Sequence, residues 1–142
     1  MVCVGPLLTK LRARLDPLEE ILEAYVFGST ATGLAQDHSD IDVAVYLGDR
    51  PPAAAFGYGA DLAALLMREL GTNAVDVVIL NEAPPLLYHR VLRGGVRILS
   101  RDLSATTTRE GQALSRYCDF LPQLAKIQAA HRVRVEGGRF GR

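Results

Sequence analysis

Between Phe27 and Val45 the chain reads FGSTATGLAQDHSDIDVAV, and no other stretch restricts its fold as much. The apolar run Ala24–Phe27 leads into Gly28-Ser29. Ten residues later come Asp40-Ile41-Asp42, and a second apolar run, Val43 to Leu47, follows. This order predicts a strand, a turn with a short helix, and a second strand. Asp40 and Asp42 are two apart on extended backbone, so both side chains point to the same face. Adjacent carboxylates repel, and each resists ionising unless a cation lies between them. Mg²⁺ takes one or two carboxylates together with substrate phosphates, which suits the pair. Gly28 lets backbone approach a phosphate closely. Ser29 offers a hydroxyl, and the free N–H groups opening the short helix favour an anion. The blander alternative is a surface turn running into an Asp-rich strand start.

The rest of the chain supplies elements on either side. Leu7, Leu8, Leu11 and Leu15 share a helical face, and Asp16-Pro17 stops that helix. A strand is predicted over Ile21 to Phe27 and another over about Ile41 to Leu47. Leu62, Leu65, Leu66 and Leu70 keep a helical period from about Gly59, with Gly71 as the stop. β-Branched residues dominate Ala74 to Leu80, which predicts a strand buried on at least one face. Asp76 lies within it, and a carboxylate there is costly unless something pairs with it. Backbone or an arginine is the ordinary partner; a cation is the functional one. Pro84-Pro85 opens a helix over Leu86 to Arg93, Gly94-Gly95 ends it, and Val96 to Leu99 reads as a short strand near a sheet edge. Asp102 or Ser104 starts a last long helix to about Ala130. The pattern predicts an α/β fold with a mixed sheet of about four strands and helices mainly on one face.

Composition narrows the function classes. The chain has 142 residues, 49% hydrophobic and 23% charged, enough for one domain with a real core. A net charge of +0 gives no electrostatic case for nucleic acid as a partner. No apolar run approaches the roughly 18 residues of a membrane span. No charged leader precedes an apolar core, so the expected location is the cytoplasm. Cys3 and Cys118 lack metal or redox spacing and are expected as buried free thiols. No P-loop is present, and Gly57-Tyr58-Gly59 lacks the third glycine of a dinucleotide fingerprint. His38, His89 and His131 are scattered, and no Ser-His-Asp arrangement suggests a hydrolase.

Gly28-Ser29, the Asp40-x-Asp42 pair and Asp76 on a later strand together resemble the signature of the nucleotidyltransferases related to DNA polymerase beta, in particular the minimal nucleotidyltransferases. The resemblance spans about Leu7 to Pro122 and is sharpest over Gly28 to Asp42. It implies that Asp40, Asp42 and Asp76 ligate two Mg²⁺ ions that carry ATP, and that Asp76 accepts the proton of the attacking hydroxyl. Gly28 and Ser29 would grip the outer phosphates. Ser39 would assist at the nucleotide site or act as a turn hydroxyl bonding local backbone. One departure stands out: many relatives carry Arg where Thr30 or Thr32 stands here. Arg50, Arg90 and Arg93 are the candidates to supply that charge.

The same resemblance implies a partner. Minimal nucleotidyltransferases often act as antitoxins beside a small helical HEPN ribonuclease, silencing it by adenylylating a tyrosine or by binding it. Tyr117-Cys118-Asp119-Phe120-Leu121-Pro122 is similar to the tail of those proteins; plain packing of the last helix is the alternative. The implied function is transfer of AMP from ATP to a hydroxyl of a HEPN toxin partner. Two alternatives stay open: a non-catalytic antitoxin on the same fold, and an aminoglycoside-type nucleotidyltransferase working as a homo-oligomer. Residues 1–130 would be the nucleotidyltransferase domain. Residues 131–142 would be an Arg/Gly-rich tail, disordered or holding an acidic partner.

Overall fold

Two central strands carry apolar residues at nearly every position. Strand β1 (Ile21–Phe27) is buried at all but Leu22, and β2 (Ile41–Leu47) at all but Asp42 and Tyr46. Strands of this kind need cover on both faces. The computed structural model, which describes residues 4–28, 41–48 and 57–138, provides it. Helix α1 (Val4–Leu15) precedes β1. Helix α2 (Tyr58–Leu70) leads to β3 (Val75–Ile79), and a 3-10 turn over Leu80–Glu82 leads to α3 (Pro85–Gly94). Strand β4 (Val96–Ser100) and the long helix α4 (Leu103–Gly138) complete the chain.

The sheet order is β3-β2-β1-β4. β1 runs antiparallel to β2 and to β4, while β2 and β3 are parallel. On one face Ala24, Val26, Val43, Val45 and Val75 meet Leu11 and Leu15 of α1 and Leu62 and Leu66 of α2. This is the larger core. On the other face Tyr25, Phe27 and Ala44 meet Tyr88 and Val91 of α3 and Ala113 of α4. The mixed four-stranded sheet agrees with expectation. Helices expected mainly on one face are instead divided between the two.

Local chemistry sets the element ends. Gly71 closes α2 in the left-handed region at φ 69°. The Asp102 carboxylate caps α4, accepting from the Ala105 N–H at 3.3 Å. The Asn81 amide bonds both the N–H and the C=O of Leu47 at 2.8 Å, continuing the ladder where β2 ends. The Arg101 guanidinium donates to the carbonyls of Asp16, Leu18 and Ile21 and pairs with the Asp16 carboxylate at 3.0 Å. That clamp ties the end of α1 to the exit of β4.

Helix α4 differs most from expectation. It spans 36 residues, passes through Pro122 and continues beyond Ala130 to Gly138. Leu114, Leu121 and Ile127 along it are exposed. Cys118, expected buried, is exposed, because from about residue 114 most of the helix surface faces away from the sheet. Cys3 lies outside the described residues.

Candidate active site

Strand register assembles the site. Phe27 is the cross-strand partner of Asp42, and Asp42 is the parallel-strand partner of Asp76. Paired residues on adjacent strands point to the same face, with strands about 4.8 Å apart. Ala44 and Val78, two residues further along each strand, lie in the smaller core. The two carboxylates therefore stand on the face covered by α3 and α4, at the edge of that cover.

Gly28 closes the third side. Its φ of +76° favours glycine, and a Cβ built there would collide with the Asp42 Oδ2 atom. Only a residue without a side chain lets the β1 exit lie against that carboxylate. Gly28 was expected to admit a phosphate; its first contact here is with Asp42 itself.

Asp76 was expected within a buried strand. It is exposed, because β3 is an edge strand of the sheet. The cost of burying its charge therefore does not arise. Asp42 is half-buried. Asp40, Ser29 and Ser39 lie outside the described residues, as do Thr30, Thr32, His38 and Arg50. Arg90 and Arg93 are exposed on α3. Among the described residues no group of three or more His, Cys, Asp or Glu side chains is placed to hold a metal ion. The two carboxylates that are described suit Mg²⁺, which takes one or two carboxylates and completes its octahedron with phosphate and water oxygens.

A third carboxylate on the same face belongs to none of the sequence motifs. Glu23 of β1 is fully buried. Its Oε2 accepts from Arg109 Nε at 2.7 Å, and its Oε1 from Arg109 Nη2 at 2.5 Å and from Thr106 at 3.0 Å. The Arg109 guanidinium also lies 4.8 Å from the centre of the Tyr46 ring. Its hydrogen bonds to Glu23 raise its already high pKa. The signal was legible: a single Glu inside the apolar run ILEAYVF.

Tyrosines complete this face. The Tyr25 hydroxyl donates to Glu110 at 2.6 Å, and burial, then that bond, pushes its pKa well up. The Tyr88 hydroxyl is buried without a hydrogen-bond partner among the described residues, and burial pushes its pKa up to about 12. Tyr117 stacks on His89 with ring centres 3.6 Å apart and planes 2° from parallel. Tyr117 and Phe120 are half-buried and Leu121 is exposed, so only part of that segment packs on the domain.

Comparison with known proteins gives the same fold. A family model described as polymerase beta, nucleotidyltransferase matches residues 9–104. No curated protein matches the chain. A solved toxin–antitoxin with AMP-PNP is 21% identical at a TM-score of 0.62, over 92% of this chain and 96% of that one. A tri-AMPylated Shewanella oneidensis HEPN toxin in complex with MNT antitoxin is similar at 22% identity and a TM-score of 0.63, over 90% and 95% of the two chains. The toxin–antitoxin MntA–HepT gives 22% and 0.64, over 90% and 96%. No helix among the described residues is long and apolar enough to cross a membrane.

Proposed function

Because the chain belongs to the polymerase beta nucleotidyltransferase family, we propose that it is a Mg²⁺-dependent adenylyltransferase. It moves AMP from ATP to a hydroxyl of a partner protein, a tyrosine of a HEPN toxin, and so acts as an antitoxin in the cytoplasm. The observation that carries this reading is the register pairing of Asp42 with Asp76, closed by Gly28 against the Asp42 carboxylate.

In this reading Asp40, Asp42 and Asp76 hold two Mg²⁺ ions, which when bound neutralise charge on the attacking and leaving oxygens. Gly28 and Ser29 steady the outer phosphates, and Ser39 assists at the nucleotide site. Asp76, exposed on an edge strand, is open to an acceptor arriving from outside the domain. The acceptor oxygen forms a bond to the α-phosphorus while the bond to the bridging oxygen of the β-phosphate breaks. Pyrophosphate leaves, and the hydroxyl proton passes to the Asp76 carboxylate. Two similar structures support the substrates: one is a toxin–antitoxin with AMP-PNP, and another contains a tri-AMPylated HEPN toxin. Residues 1–130 would form the catalytic domain, with 131–142 outside it.

The test is intact-mass spectrometry of the HEPN protein encoded beside this chain, after incubation with it, ATP and Mg²⁺. The expected result is a gain of whole adenylyl groups, lost with a chelator and with Asp42→Asn. Neutralisation of the toxin without any mass gain overturns the enzyme reading in favour of an antitoxin that acts by contact.

A further inference from the structure

Gly111 lies within the part of α4 that packs on the sheet. A glycine in a helix interior costs about 1 kcal/mol relative to alanine, and crowding commonly explains it. Crowding does not explain this one, since a Cβ at Gly111 would meet nothing within 4 Å. Gly111 is exposed and lines the rim of a cavity of about 670 Å³ between β1, β4, α3 and α4. Cavities of that size take small organic ligands.

The walls are chemically mixed. Tyr25, Leu92 and Leu114 provide apolar surface. Glu110 provides an acceptor. The Tyr25 hydroxyl and Arg97 Nη1 both donate to its Oε2 atom, at 2.6 and 2.8 Å. Its Oε1 atom accepts no hydrogen bond from the described residues. A carboxylate fixed through one oxygen thus offers the other to a ligand N–H.

The cavity lies beside the carboxylate pair on the same face. Tyr25 is the cross-strand partner of Arg97, and Phe27, two residues on, is the partner of Asp42. Gly95 lines the cavity at that end, where a Cβ would lie 3.4 Å from the Phe27 Cβ. One to two strand spacings, roughly 5–10 Å, therefore separate the cavity from Asp42. A ribose bridges such a gap. Arg93, close to Gly95 in sequence, also lines the cavity and adds a cation there.

Resting on the adenylyltransferase reading, we infer that this cavity receives the nucleobase of the substrate. Glu110 Oε1 accepts from an exocyclic amino group, and Tyr25, Leu92 and Leu114 pack on the ring. Gly111 is small because the base needs its space.

Calorimetric titration with nucleotide and Mg²⁺, alongside the mass assay for transfer, tests this. Gly111→Leu puts bulk at the cavity rim, where a Cβ meets nothing within 4 Å, and removes a helical glycine, so its Tm should not fall. Its ATP affinity should drop by about tenfold or more. Purine riboside triphosphate, which is ATP without the amino group, should bind the unaltered chain about tenfold more weakly than ATP, the loss expected for one hydrogen bond to a charged group. In Glu110→Gln the amide oxygen must face Tyr25 and Arg97, which turns the NH₂ to the cavity. The preference for ATP over purine riboside triphosphate should then vanish.

If the unaltered chain transfers AMP while Gly111→Leu binds ATP within twofold of it, the cavity assignment is wrong and the adenylyltransferase reading stands. Equal binding of the two nucleotides by the unaltered chain removes Glu110 from base recognition. Failure of the unaltered chain to bind ATP or transfer AMP overturns both readings.

Discussion

One face of this sheet carries carboxylates at both ends, and the two ends treat them oppositely. Glu23 is fully buried and held by Arg109 and Thr106. Asp76 is exposed and Asp42 half-buried, side by side on adjacent strands. Burial obliges Glu23 to have a permanent protein cation, because an unpaired charge inside a core is very costly. Asp76, exposed on an edge strand, is under no such demand. The difference separates a carboxylate that builds the fold from the two proposed here as metal ligands. Exposure, more than residue type, draws the line.

Five substitutions break or sharpen that contrast. Arg109→Met should cost most, about 3–5 kcal/mol in urea unfolding, because Glu23 is left buried and uncompensated. Adding Glu23→Leu to it should recover most of the loss, which no effect at the Asp42 end would do. Asp42→Asn should act on the other observable. Transfer should fall by more than about a hundredfold, since charge stabilisation at a metal site is worth several kcal/mol, while the urea midpoint barely moves. A large midpoint loss would place Asp42 with Glu23 as a structural carboxylate.

Gly28→Ala should affect both observables. Its φ of +76° costs a side chain roughly 1–2 kcal/mol. The collision with Asp42 Oδ2 must also displace the carboxylate, so transfer should fall with stability. Intact transfer would show that the exact seat of Asp42 does not matter.

Tyr88→Phe should have the smallest effect. Its hydroxyl is buried without a partner among the described residues, so deletion should stabilise at neutral pH by up to about 1 kcal/mol. The pH dependence has a definite sign. The phenol titrates at 10.0 when unperturbed and at about 12 in the fold. The folded chain holds its proton longer, so stability present below pH 10 is lost as pH rises from 10 to 12. Tyr88→Phe should flatten alkaline unfolding over that range; an unchanged curve would assign the slope to other groups.

Much of this molecule was legible in its residues. The strands over Ile21–Phe27 and Ile41–Leu47 follow from runs of apolar and β-branched residues between turn formers. The stop of α2 at Gly71 follows from the one residue type that enters the left-handed region freely. Asp42 and Asp76 were identifiable as candidates because carboxylates in strand patterns are uncommon and suit a cation. Glu23 satisfies the same criterion, but its role is not legible locally, since its partner Arg109 is 86 positions away and on another element. The length of α4 was underestimated because Arg and Gly near its end suggest a tail, whereas the helix runs on to Gly138.

Sequence by itself determined the elements, because propensity and hydrophobic period act over a few neighbouring residues. It also supplied the carboxylates proposed here as metal ligands. Only the tertiary structure decided which carboxylate faces water and which faces a guanidinium. That depends on strand order and register, which placed Asp76 at an edge and Glu23 at the centre. It also decided that Gly28 lies against Asp42 and that Gly111 opens onto a cavity. Those spaces exist only once distant strands and helices have packed together.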